Sequence, residues 1–389
     1  MISMTKLLTE KNNYGDQLRY KKNSGQQNEG VSVNRGPVVV WNVTQACNLK
    51  CLHCYADSDD SSPKKELTTL QAEDFIRQLS DFKVPVLLFS GGEPLLRDDI
   101  FHLIDFSSRQ GMRPVISTNG LLLTEKNVGH LQEAGIKYVG VSVDGVGPRN
   151  DEFRGLDGAF KQALEGIRRC QKVGLKVGLR FTINKYTLPD IKKVFALVKS
   201  EEIPRVCFYH LVYAGRGSGL RKAEIEDQQK REVIDLIIEK TNQFNRLGLD
   251  TEVLTVDNHA DGIYTYLKYK KKQPRKADYI LQMLKNNGGN RSGKAFGCVD
   301  WKGDVHPDQF TRQVTWGNVL QRDFADIWTD NSNLELVRWR NRGQYITGRC
   351  AECRWFDVCN GNLRARALGV YNDLWASDPG CYLTEAEIG

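Results

Sequence analysis

Ten cysteines occur in this 389-residue chain, and seven of them fall into two groups. The first is Cys47-Asn48-Leu49-Lys50-Cys51-Leu52-His53-Cys54, a C-x₃-C-x₂-C spacing on a loop directly after the apolar run Val38-Val39-Val40-Trp41-Asn42-Val43. Three thiolates this close together can face one small object, and thiolate is the preferred ligand of zinc and of iron–sulfur clusters. A zinc site wants a fourth Cys or His. His53 is at hand, but beside Cys54 it points elsewhere if the three cysteines share one centre. A 4Fe–4S cluster ordinarily takes four cysteines, so three would leave one iron open to an outside ligand.

The second group is Cys350-x₂-Cys353-x₅-Cys359, followed by Cys381. Four thiolates suit a closed cluster, or a structural zinc ion. Cys170, Cys207 and Cys298 are left over. Clustering of this kind argues for ligand sets rather than disulfides. Cys298 is expected as a buried thiol; an iron ligand set of Cys298, His306 and Asp308 is the alternative.

The elements that must carry these groups alternate from residue 37 to about 250. Strand-like segments are Val38–Val43, Val84–Phe89, Pro114–Ser117, Tyr138–Val143, Val177–Ile183 and Val206–Val212. Between and after them lie the amphipathic segments Thr69–Phe82, Asp98–Gln110, Glu125–Glu133, Ala159–Val173, Leu188–Ser200 and Glu224–Arg246. Gly111, Gly135 and Gly174 stand where helices should end. Six βα units imply an α/β fold with a parallel sheet, whose sites form at the carboxyl ends of the strands. Residues 1–36 are polar, with no period over Lys21–Asn28, and predict a mobile or loosely docked arm. Residues 251–389, rich in Gly, Asn, Trp and Cys, predict a second, smaller domain, with Leu249–Val256 as one further strand.

Composition narrows the classes. Hydrophobic content of 40% and charged content of 26% are ordinary for a globular protein. No apolar run approaches the roughly 18–20 residues that span a bilayer, and the first residues lack a signal peptide's apolar core. A cytoplasmic protein without a membrane partner is expected. The net charge of +7 comes from scattered residues without a basic stripe interleaved with aromatics, which argues against nucleic acid. The run Lys268-Tyr269-Lys270-Lys271-Lys272 reads as a solvated helix face. A mildly basic surface also suits a polyanionic small molecule.

With Ser90-Gly91-Gly92-Glu93-Pro94 about 40 residues beyond the first cysteines, the chain resembles the radical S-adenosylmethionine superfamily. That resemblance implies a partial (β/α)₆ barrel and a 4Fe–4S cluster on Cys47, Cys51 and Cys54. Its open iron would be chelated by S-adenosylmethionine. Reductive cleavage would then yield a 5′-deoxyadenosyl radical, with ferredoxin or flavodoxin as an electron donor. Gly91, Gly92 and Glu93 match the motif that binds the methionine amino group. Ser117 and Asn119 close the third strand, Ser142 and Asp144 the fourth. With Arg180 and Asn184 they are candidates for the cofactor's ribose and carboxylate.

The second cysteine group resembles the distal auxiliary 4Fe–4S site of SPASM/twitch domains. Two clusters are expected rather than three, because a further cysteine four positions after Cys359 is Leu363 here. The Gly-Asp-Val-x-Pro-Cys element likewise reads Gly303-Asp304-Val305-His306-Pro307-Asp308. Cys353–Ala367, Asp373–Thr384, Thr255–Asp261 and Asn286–Asn290 together resemble the radical enzymes of alternative haem and haem d1 synthesis. The implied substrate is an iron tetrapyrrole, didecarboxysirohaem. One branch removes its two acetate arms to leave iron-coproporphyrin III; the other acts on its propionates; a third relative decarboxylates propionates to vinyls. For such a substrate His210 and His259 are candidate iron ligands, and Arg216, with Arg221 nearby, a candidate carboxylate clamp. A peptide-modifying maturase is the rival enzyme, and a two-cluster electron carrier the non-enzymatic alternative.

Overall fold

The computed structural model describes residues 1–20, 36–60 and 66–389. The six expected strands are present as β2 (Val38–Thr44), β3 (Val86–Gly91), β4 (Arg113–Thr118), β5 (Val139–Ser142), β6 (Val177–Ile183) and β7 (Arg205–His210). They pair in parallel, in chain order, and β8 (Glu252–Val256) joins β7 as a seventh parallel strand. Their apolar residues, among them Val39, Trp41, Leu87, Phe89, Val139, Val141, Leu179, Phe181 and Phe208, are buried. A parallel sheet covered by crossover helices requires such near-continuous apolar strands.

The helices start and stop where their chemistry dictates. Thr68 caps Thr69–Asp81 by accepting from Gln71 N at 3.3 Å, and Thr124 caps Glu125–Glu133 from Asn127 N at 3.2 Å. Gly111, Gly135 and Gly174 all take the left-handed conformation expected after a helix. The short helix Pro148–Arg154, which no periodicity announces, follows β5 and carries two site residues. Among the described residues, no helix is long and apolar enough to cross a membrane.

Two expectations need correction. The amino-terminal segment is not a loose arm through residue 20. β1 (Ile2–Ser3) pairs antiparallel with β8, Ile2 opposite Thr255 and Ser3 opposite Leu254. The following helix Met4–Thr9 buries Met4, Leu7 and Leu8. Tyr20 Oη accepts from Ser3 N at 2.7 Å, and Arg19 bonds Glu252, which also holds Arg205 at 2.5 Å. Five apolar residues among the first eight are too short a pattern to stand out from the polar text that follows. The Lys21–Asn28 expectation lies outside the described residues.

The boundary at residue 250 also moves, because β8 belongs to the barrel sheet rather than to the second domain. Nor does the sheet stop at β2. β9 (Phe296–Val299) pairs in parallel with β2, and β10 (Asp304–His306) and β11 (Gly317–Asn318) continue antiparallel from it. Among the described residues, one sheet of 11 strands, in the order β1-β8-β7-β6-β5-β4-β3-β2-β9-β10-β11, therefore runs through both domains.

Leu7 lies fully buried in a helix that packs on β8. Leu7→Ala is expected to destabilise the cluster-free protein by about 3 kcal/mol in denaturant unfolding. Exposed Lys11→Ala should cost under about 0.5 kcal/mol.

Candidate active site

The cysteine loop leaves the carboxyl end of β2 and is held there by the turn after β3. Gly92 N donates to Thr44 O and Glu93 N to Ala46 O, each at 2.8 Å. A Cβ on Gly91 would stand 2.3 Å from Thr44 O, and one on Gly92 2.1 Å from Ala46 O, so no side chain fits at either position. The close approach expected toward a ligand is made here to the loop that bears the thiols.

Glu93 is fully buried. Its carboxylate accepts from Leu95 N at 3.1 Å, Thr118 Oγ1 at 2.8 Å and Asn119 N at 2.8 Å, yet burial pushes it up to about 7. These bonds tie β3 to the end of β4 and leave one acceptor direction on Oε2. Asn119 turns its Nδ2 to Asn48 Oδ1 at 2.7 Å and to Cys47 Sγ at 4.0 Å.

Asp144, after β5, is also fully buried. It accepts from Thr182 N at 2.7 Å and Arg154 Nη2 at 2.5 Å, with His53 Nε2 at 3.3 Å. Burial works to raise its pKa, but Arg154, His53 and the Thr182 N–H outweigh it and hold the carboxyl below the usual range. Arg154 Nη1 lies 3.8 Å from Cys51 Sγ. His53, engaged by Asp144, stacks on Phe153 at 4.8 Å and does turn away from the thiols. Arg180 bonds Ser117 Oγ and lies over Gly140, where a Cβ would come within 2.4 Å of its Nε; Ser142 stands opposite Arg180 in register. Of the polar residues expected at the strand ends, Glu93, Asn119 and Asp144 contact the cysteine loop, while Ser117 and Ser142 lie beside Arg180. Arg154 was missed, and its signal was indirect: a buried Asp144 must have a cation.

Other candidates have different tasks. Arg216 is not free to clamp a ligand: Nε donates to Cys51 O at 2.9 Å and Nη2 to Ser58 O at 2.8 Å, so it brackets the cysteine loop. Arg221 is exposed. His210 gives Nε2 to Asp261 at 3.0 Å, and Asp261 also takes the Tyr382 hydroxyl at 2.8 Å, a buried set that removes this nitrogen from iron ligation. Asn184 caps its own turn, accepting from Tyr186 N at 2.9 Å. His259 stands just past β8, its backbone N–H held by Asn362 Oδ1 at 2.7 Å. Burial, with the nearby cations Arg366 and Arg342, lowers its pKa well below the usual value, so the imidazole is neutral.

All ten cysteines are free thiols. Cys350, Cys353, Cys359 and Cys381 line one small cavity of about 20 Å³, with Ala260, Ile263 and Leu383 as apolar walls. Two buried arginines shape the last of these loops. Arg366 forms a paired bridge to Asp378 at 2.9 and 2.8 Å, and Arg364 donates to Leu374 O and Ala376 O at 3.0 and 2.6 Å. Cys298 is fully buried on β9, accepting from Asn42 Nδ2 at 3.7 Å. Among the described residues, no three His, Cys, Asp or Glu side chains converge tightly enough for a single ion.

Both thiol groups fit iron–sulfur clusters by their chemistry. Burial pushes Cys47 up to about 12 and Cys51 and Cys381 to about 11, so these thiols stay neutral until a metal's charge displaces the proton.

Residues 41–198 match the radical SAM superfamily, and residues 293–354 an iron–sulfur cluster-binding domain, SPASM. The chain is 48% identical to Fe-coproporphyrin III synthase of Methanosarcina barkeri, covering 100% of this chain and 99% of that one. It is 41% identical to pre-heme d1 synthase of Dinoroseobacter shibae, over 91% of this chain and 88% of the relative. Among solved structures, Streptococcus suis SuiB bound to precursor peptide SuiA aligns with a TM-score of 0.70 at 18% identity, over 90% of this chain and 77% of that one.

Gly92→Ala forces a methyl into Ala46 O and should loosen the cysteine loop. Anaerobically reconstituted Gly92→Ala protein is expected to lose about four of about eight irons while keeping the second cluster, read by iron analysis and electron paramagnetic resonance.

Proposed function

The chain belongs to the radical S-adenosylmethionine superfamily, and from that premise we propose that it removes the two acetate side chains of 12,18-didecarboxysirohaem, giving iron-coproporphyrin III. It is an enzyme that uses S-adenosylmethionine and iron–sulfur clusters. Cys47, Cys51 and Cys54 would hold the first, and Cys350, Cys353, Cys359 and Cys381 the second. Bound there, the first cluster and S-adenosylmethionine supply a 5′-deoxyadenosyl radical that abstracts hydrogen from an unactivated carbon. The observation that carries the choice of substrate is the 48% identity to Fe-coproporphyrin III synthase across both chains, against 41% to pre-heme d1 synthase over a shorter stretch.

The chain's own residues bind, orient and exclude. Glu93, through its remaining Oε2 direction, and the polar ends of β4, β5 and β6 at Ser117, Asn119, Ser142 and Arg180 would receive the amino acid and ribose parts of S-adenosylmethionine. Asp144 and Arg154 hold the far side of the cysteine loop. For the macrocycle, Val212 and Ala214 from beyond β7, Tyr55 from the cysteine loop, and Phe310, Leu363 and Ala365 from the second domain form one apolar cluster. A flat tetrapyrrole needs such a wall. His259, neutral and at the carboxyl end of β8, is the ligand for the substrate iron. A cytoplasmic ferredoxin or flavodoxin would supply electrons.

Incubation of reconstituted enzyme with didecarboxysirohaem, S-adenosylmethionine and reductant should release a product lighter by two acetate arms, with propionates intact by mass spectrometry. Altered propionates would place the chain in the haem d1 branch instead; an untouched tetrapyrrole would reject both. His259→Ala should change the spin-state spectrum of the bound substrate iron, whereas His210→Ala should not.

A further inference from the structure

Polar groups without partners gather where the second domain meets the barrel mouth. The segment Pro307-Asp308-Gln309-Phe310 crosses this junction. The Phe310 ring meets Tyr55 edge-on at 5.3 Å, and Arg312 Nη2 donates to Tyr55 O at 3.1 Å. Asp308 is 2% exposed. Its Oδ1 accepts from Phe310 N at 3.0 Å and from Thr311 N and Oγ1 at 2.9 Å, while Oδ2 has no partner.

Arg342 is 1% exposed. Its Nε donates to Trp339 O at 3.0 Å and its Nη2 to Ser292 O, while Nη1 has no partner. Arg342 and Asp308 are linked through the backbone between them: Arg342 Nη2 holds Ser292 O, and the next residue's Gly293 N donates to Pro307 O at 3.0 Å, one residue before Asp308. A buried guanidinium nitrogen and a buried carboxylate oxygen in the same junction, both unsatisfied, form a costly arrangement that a purely structural junction would fill with apolar side chains. Leu363 shows that alternative: where full SPASM domains carry a cysteine, it joins the apolar cluster with Phe310. Asp308, at the other position where such domains carry cysteine, remains polar and unsatisfied.

We propose that Arg342 receives a carboxylate arm of the substrate, with Asp308 across from it sharing a proton with the arm's second oxygen. This rests on the tetrapyrrole reading above. Arg342 then sets the rotation of the macrocycle about the iron that His259 holds. Arg is suited to this task because its N–H fork matches a carboxylate.

The test is titration of anaerobically reconstituted full-length protein with iron-coproporphyrin III and with its tetramethyl ester, read by absorbance. Wild type should bind the acid more tightly than the ester. Arg342→Gln should weaken the acid by about tenfold or more and leave the ester unchanged. Arg342→Lys should recover part of the loss. Iron content checks that both clusters persist in each variant. Should Arg342→Gln fail to fold, Asp308→Asn, of equal size and with a permanent N–H donor, should bind the acid more tightly than wild type at pH 8 and the ester equally. Wild-type binding with the same acid-to-ester ratio in all variants would overturn this subsite alone. Failure of wild type to bind either probe would overturn it together with the tetrapyrrole reading.

Discussion

Two main-chain hydrogen bonds, from Gly92 and Glu93 to the carbonyls of Thr44 and Ala46, hold the cysteine loop against the sheet. They form only because the turn after β3 lacks side chains where the loop passes. From that staple a chain of buried contacts runs along the strand ends. Glu93 reaches Thr118 and Asn119, Asn119 reaches Cys47, and Asp144 joins Thr182 to Arg154 beside Cys51. Each member is deep enough that an unmet bond would cost about 1–3 kcal/mol. The loop is therefore held from several sides by the polypeptide's own hydrogen bonds. Arg216 adds a clasp from the far side by taking two of the loop's carbonyls.

The parallel strands were legible because their apolar runs are long and their ends are marked by Ser, Asn and Asp. The cysteine groups were legible because ligand spacing is local. What escaped depends on contacts between residues far apart in the chain. Arg216 and His210 read as candidates for meeting a ligand, since each follows an apolar strand with aromatics nearby. Their actual partners, Cys51 and Ser58 for one and Asp261 for the other, lie 51 to 165 residues away. The docked segment at residues 1–20 escaped for a related reason: an edge strand of two residues has no period to read, and only β8 gives Ile2 and Ser3 their conformation.

The second domain is less separate than composition suggests. β9 adds directly to β2, the strand that feeds the cysteine loop, placing Cys298 beside Val40 and the following hairpin beside the barrel mouth. A domain joined by a flexible linker could pivot; one that continues the same hydrogen-bonded sheet shares its register. The placement of Cys298 and of the hairpin beside the cysteine loop is then a property of the sheet itself.

The distal thiol cavity adds a different solution to the same problem of holding ligands on irregular backbone. Its four cysteines come from short turns with little regular structure of their own. Arg364 and Arg366, both almost fully buried, satisfy the carbonyls and the Asp378 carboxylate of the segment that ends in Cys381. Asp378 in turn accepts from Leu363 N and Gly380 N. Asn362 lines the cavity and carries the contact onward, holding His259 N and Asn258 Oδ1 at 2.7 and 2.8 Å. A displacement at the distal cysteines must therefore move the residues just past β8, and the neutral imidazole at the barrel mouth is positioned from both domains at once.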